Sequence, residues 1–165
     1  MTGPRPMEVT AQSLIRRPPE EVRAQFADIA YHVHANVHPR LRLTLLSADA
    51  KQCRFRQEAR IAGIKQVDEI LNTLLDDGSM LSEIVAGTNR GLTIRFSYTP
   101  TSPGATRLTA RFEIPRQGLA RLLGRLFALA VRRAADRALE QDRRDLESGA
   151  YQAYREARAA EERRG

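Results

Sequence analysis

From Lys51 to Ile114 the chain alternates apolar and polar residues with a period of two. Cys53, Phe55, Gln57, Ala59 and Ile61 fall on one side of the first such run, and Gln52, Arg54, Arg56, Glu58 and Arg60 on the other. The alternation returns in Leu92, Ile94, Phe96 and Tyr98, and again in Leu108, Ala110, Phe112 and Ile114. A period of two belongs to a strand with one dry face. Asp49, Gly63, Asp76-Asp77-Gly78, Gly87 to Gly91 and Pro100 to Gly104 punctuate the runs with turn residues. Six consecutive strands follow, over 41–47, 51–62, 64–75, 79–86, 92–99 and 106–114. Short connections make them antiparallel, and their apolar face needs cover.

Upstream, Val9, Ala11 and Ile15 predict a further strand over 7–15, stopped by Arg16-Arg17-Pro18-Pro19. Prolines suit a first helical turn and Glu20 and Glu21 complement its positive end, so 19–28 is a short helix with Val22 and Phe26 inward. A second short helical or irregular piece runs to Pro39. Downstream the period changes to 3.6. Over Gln117 to Glu147, Leu119, Leu122, Leu123, Leu126, Phe127, Ala130 and Ala134 share one face, with Arg121, Arg125, Arg132 and Arg143 opposite. This predicts one helix about 45 Å long. Its burial is expected to be deepest from Leu119 to Phe127, since mainly alanines follow, with Leu139 and Leu146 beyond. Gly124 in its interior predicts a close approach to the backbone.

Composition narrows the classes. A chain of 165 residues, 42% hydrophobic and 28% charged, is one ordinary globular domain by size. Neither a membrane-spanning run nor a secretory leader is visible. The single cysteine, Cys53, excludes an internal disulfide framework and a cysteine-cluster metal site; it reads as a small packed hydrophobe, and a cytoplasmic location is expected. The net charge is +7, and of the 27 basic residues only Lys51 and Lys65 are lysine. The arginines are spread along the chain among 20 acids and aromatics stand at 5%, so a solvated surface is expected before a nucleic-acid interface.

The order of elements resembles the helix-grip fold of the START-like, or SRPBCC, superfamily, which includes polyketide cyclases and dehydratases and lipid-transfer domains. The stretch RRPPEEVRAQFADI is similar to that family's opening, NVHPRLRLTLLS to its second short helix running into strand two, and RLTARFEIPRQGLARLLGRLF to its passage into the long helix. The resemblance covers about residues 7–147. It implies an α+β fold: a curved antiparallel sheet of about seven strands wrapped around a long C-terminal helix, with two short helices after strand one. Residues 1–149 then form one ligand-binding domain, and 150–165 a helix-prone tail too polar to bury much. The chain departs from the commonest cyclase-like members in lacking tryptophan in the second short helix, where histidines stand. In this family the space between sheet and helix is a cavity for an apolar ligand.

The residues themselves supply a lining for such a cavity: Phe55, Ile94, Phe96, Tyr98, Phe112, Leu123 and Phe127. Gln57 is the polar member of an apolar strand face. If Ala62-Gly63 is a two-residue hairpin, Gln57 faces Asp68; a slip of one makes its neighbour Glu69. An amide and a carboxylate there can orient a ligand hydroxyl or carbonyl, or serve as general acid and base. His32, His34 and His38 stand within seven residues. On a helix, His34 and His38 present imidazoles to one side while His32 points elsewhere. Asp28 makes a poor third ligand and Pro39 ends the helix, so no metal and no cofactor is expected. Instead one histidine, His34 foremost, lies at the pocket mouth as a polar contact or proton carrier.

Three functions follow. The first is binding, transport or sequestration of a lipid, polyketide or isoprenoid. The second is a cyclase or dehydratase using Asp68 or Glu69 with Gln57 and His34. The third is a basic-helix module contacting an anionic membrane surface, RNA or a protein partner.

Overall fold

The computed structural model describes residues 5–61 and 63–164, the side chain of residue 119 excepted. Strand β1 (Met7–Ile15) leads into helices α1 (Pro19–Ala27) and α2 (Ile29–Ala35). Six strands follow: β2 (Arg42–Ala48), β3 (Gln52–Ile61), β4 (Ile64–Leu74), β5 (Met80–Gly87), β6 (Thr93–Ser102) and β7 (Ala105–Ile114). Helices α3 (Gly118–Leu123), α4 (Arg125–Ser148) and α5 (Ala150–Glu162) complete the chain. The strands form one antiparallel sheet in the order β1-β7-β6-β5-β4-β3-β2, so the first strand adds to the last and β2 is the far edge. Register shifts at Leu45/Ser47, Glu69/Ile70 and Pro100/Ser102 place an extra residue on one strand of each pair, and such bulges bend a sheet. This curved sheet with its long terminal helix is the helix-grip architecture.

The expected single helix over 117–147 is broken at Gly124, whose φ of 50° and ψ of −120° end α3 and cap α4. Only glycine reaches that conformation cheaply, and a Cβ there would meet nothing within 4 Å. Gly124 thus breaks the helix and is not a point of close approach. Burial is displaced accordingly. Leu122 and Leu126 stand 79% and 70% exposed, while Phe127, Val131, Ala135, Leu139, Asp142 and Leu146 are buried; Leu119 lies outside the described side chains. The buried face therefore begins where the expected one was to end. Phe127, Leu139 and Leu146 each contribute roughly 1.5–3 kcal/mol by leaving water.

Two contacts anchor this helix. Arg17 donates from Nε to the Leu146 carbonyl at 2.8 Å, which also accepts from the Gly149 N–H, and from Nη2 to that of Glu147 at 3.1 Å, capping the helix end. Gly149, at φ 82°, then turns the chain into α5. The tail expected to bury little inserts Tyr151, whose ring centroid lies 4.8 Å from that of Tyr31. α4 lies chiefly across β1, and α1 and α2 close the side of the sheet that α4 leaves open.

Candidate functional site

Between the concave face of the sheet and α4 lies a half-open cavity of about 840 Å³. Its existence follows from side-chain size. The stretch of α4 that faces the sheet carries Ala134, Ala135 and Ala138, and these three line the void that larger residues would have filled. Ile70, Ile84 and Phe96 form the opposite wall, with Phe26 and Ile29 from α1 and α2.

Of the residues expected to line such a cavity, Phe55, Gln57, Ile94, Phe96 and Phe112 do so. Tyr98, Leu123 and Phe127 are not among the lining residues. Tyr98 packs edge-on against Phe26 at 6.2 Å with the Arg23 guanidinium over its ring, and burial pushes its phenol pKa up. Phe127 is fully enclosed in the core, and Leu123 sits on the far side of the break at Gly124.

The hairpin joining β3 to β4 pairs Ile61 with Ile64 and sets Gln57 opposite Asp68; Ala62 itself lies outside the described residues. Asp68 is buried and lines the cavity, but both its oxygens are engaged by Asn89: the backbone N–H donates to Oδ1 at 2.8 Å and Nδ2 to Oδ2 at 2.6 Å. Nδ2 of Asn89 also donates to Gln66 Oε1 at 2.7 Å. Gly87 makes room for this clamp. At φ 112°, a Cβ on it would overlap the Val67 carbonyl oxygen and stand 2.7 Å from Asp68 Oδ1. Glu69 points to the other face of the sheet, because successive residues of a strand alternate, and pairs with Arg54. His34 is exposed on α2, 5.3 Å from the Tyr154 ring, and does not reach the cavity.

The other two histidines do reach it. His32 directs Nε2 at Asp142 Oδ1 at 3.1 Å, and His38 directs Nε2 at the same oxygen at 3.4 Å. All three are buried and line the cavity, and their ligand atoms lie within 4.8 Å of one another. The αL conformation of Asn36 (φ 49°) ends α2 and swings His38 back beside His32, with the rings stacked at 5.3 Å. Hence His32 and His38, not His34 and His38, share a side. Burial works against the His38 cation, but the Asp142 carboxylate, with Gln141 and Asp145, outweighs it and raises the pKa above the ordinary histidine value. Burial likewise pushes the Asp142 carboxyl up, and the His32 and His38 imidazoles more than offset it, leaving a lowered pKa. Around them, Gln25 Nε2 donates to Asp142 and Asp145 at 3.3 Å each, and the Tyr31 hydroxyl donates to Asp145 at 2.8 Å. Asp142 went unnoticed in the sequence. Its one signal is an acid set between Leu139 and Leu146 in the apolar stripe of α4.

Arg40, Arg42, Arg60, Lys65 and Arg137 also border the cavity, against Glu58, which pairs with Lys65 at 3.0 Å. The cavity therefore has apolar walls with hydrogen-bonding groups and a cationic border, and Arg42 of that border lies beside His32 and His38. Cys53 is buried, and burial, with the charge of Asp28, pushes its thiol pKa up, as befits a packed side chain. Among the described residues no helix is long and apolar enough to cross a membrane.

The family model for polyketide cyclase/dehydrase and lipid transport matches residues 6–147. No curated protein matches the chain. Solved structures do. A protein of Thermus thermophilus superposes with a TM-score of 0.74 at 17% identity, over 87% of this chain and 99% of that one. The Zhui aromatase/cyclase of a Streptomyces species gives a TM-score of 0.75 at 11% identity, over 87% and 95%. A START superfamily protein of Mycobacterium smegmatis gives 0.64 at 18%, over 84% and 98%. Identities this low speak for the fold alone.

Proposed function

The chain belongs to the polyketide cyclase/dehydrase and lipid transport family, and from that premise we propose that it binds one hydrophobic small molecule, of lipid, polyketide or isoprenoid type, between the sheet and α4. The observation that carries this reading is the cavity of about 840 Å³, within the roughly 300–1,000 Å³ typical of small-molecule sites. Its apolar walls favour a guest with a greasy body, and the Gln141 amide nitrogen offers a contact to an oxygen atom. The cationic border supports a guest with an anionic end. A cyclase or dehydratase built on Asp68 is the weaker reading, because Asn89 already occupies both carboxylate oxygens and Glu69 faces away. The test is native mass spectrometry of the purified chain, followed by denaturing extraction. The expected result is a co-purified apolar guest at up to one per chain, lost from Ala135→Phe, which places a ring in the void. An empty wild type that also takes up no fluorescent apolar probe, or an Ala135→Phe variant that keeps its guest, overturns it.

A further inference from the structure

We propose that His32, His38 and Asp142 form a divalent transition-metal site on the wall of the cavity, with the coordination positions away from the protein open to an oxygen donor. Two imidazoles and a carboxylate are the ligand set of Zn²⁺, Fe²⁺ or Co²⁺, whereas Mg²⁺ and Ca²⁺ prefer all-oxygen surroundings. Three protein ligands with further positions left free are the arrangement of a reactive metal centre rather than a structural one.

Two of the three ligand spacings fit an ion, and all three ligand atoms lie within 4.8 Å of one another. Ligand atoms held about 2.1 Å from a metal lie roughly 3.0 Å apart at octahedral angles and about 3.4 Å apart at tetrahedral ones. The two Nε2-to-Oδ1 distances are 3.1 and 3.4 Å. The outer contacts fit too. His32 Nδ1 lies 2.8 Å from the Asp28 carbonyl oxygen and His38 Nδ1 lies 2.9 Å from Gln141 Oε1, so each Nδ1 carries the hydrogen and each Nε2 is the ligand atom. Metal-binding histidines are oriented in this way by a second partner, and Gln25 does the same for the Asp142 carboxylate.

The ligands stand on this geometry alone. The open positions rest on the reading of the cavity as a guest site, where a metal would grip a carbonyl, carboxylate or hydroxyl oxygen of the guest.

The test uses the untagged full chain, stripped with a chelator and titrated with Co²⁺. The expected result is one Co²⁺ retained per chain after desalting, with a visible d–d absorption that Zn²⁺ abolishes. His32→Gln and His38→Gln should each weaken binding at least tenfold, and His34→Gln should leave it unchanged. Substoichiometric Co²⁺, or equal retention by His32→Gln and His38→Gln, overturns the site. Should either variant fail to fold, the wild type decides by itself: a thermal midpoint raised by Zn²⁺ but not by Mg²⁺ upholds the site, and an unmoved one overturns it. No guest is needed for this assay, so its failure leaves the guest-binding reading standing.

Discussion

Ala135→Phe separates a hollow interior from a filled one, because the two give opposite signs. Ala135 is buried on α4 between Val131 and Leu139 and borders the cavity. In a packed core the added ring finds no space, and overpacking costs about 1–3 kcal/mol. Here it enters a void of about 840 Å³. Burying on the order of 100 Å² more apolar surface at ~25 cal/mol per Å² contributes about 2.5 kcal/mol, from which about 0.5 kcal/mol of side-chain entropy is lost. The guest-free variant should therefore be about 2 kcal/mol more stable than wild type. For a domain of this size that is a rise of roughly 4–8 °C in Tm. Ala11→Phe is the matched control, since Ala11 is fully buried on β1 and is not a lining residue; it should lower Tm by roughly 2–12 °C. Both are read by thermal and urea unfolding of guest-stripped protein. If Ala135→Phe falls as far as Ala11→Phe, the space between sheet and helix is not hollow, and the guest-binding reasoning fails with it.

Three further outcomes follow from the packing. Arg17→Ala should cost about 2 kcal/mol in urea unfolding, as two charge-assisted bonds to the end of α4 are lost while the Leu146 carbonyl keeps only the Gly149 N–H; Arg17→Lys should restore less than half, since an ammonium cannot span both oxygens. Gly87→Ala should cost about 3 kcal/mol or more, as the new methyl group overlaps the Val67 carbonyl and presses on the Asp68 clamp; a midpoint within 0.5 kcal/mol of wild type would contradict that placement. Burial works to raise the Glu147 pKa, but the Arg16 backbone N–H and guanidinium outweigh it and hold it below the ordinary 4.5. A carboxyl lowered on folding stabilises above its unfolded pKa and loses that stability as pH falls through its folded one. Glu147→Gln should therefore unfold more easily than wild type at pH 6, and the two should converge as the pH falls through the folded pKa of Glu147, below 4.5.

Much of the architecture was legible because it is written in short-range periodicity. Six strand segments, the first strand and α1 can be placed from alternation and from proline and glycine alone. The partner of Gln57 could be narrowed to Asp68 or Glu69, and the register observed is the one a two-residue turn gives. Phe55, Ile94, Phe96 and Phe112 could be assigned to the inner face because a strand has only two faces. A helix has many, and there the reading slipped. Leu122 and Leu126 fit one apolar stripe and Val131 and Leu139 another, and it is the second that is buried, Leu122 lying beyond the break at Gly124 and Leu126 on the outer side of α4.

What the sequence by itself determined is therefore the strands and the first short helix, the antiparallel run of the later strands and their apolar inner face, each set by interactions between residues a few positions apart. What only the tertiary structure decided is where the chain leaves space and which polar groups meet there. The void exists because α4 turns Ala134, Ala135 and Ala138 to the curved sheet beside Leu139. The cluster exists because an αL turn at Asn36 brings His38 beside His32, while Asp142 arrives from 110 positions away along the chain. Convergence over that distance is a property of packing, and no local pattern carries it.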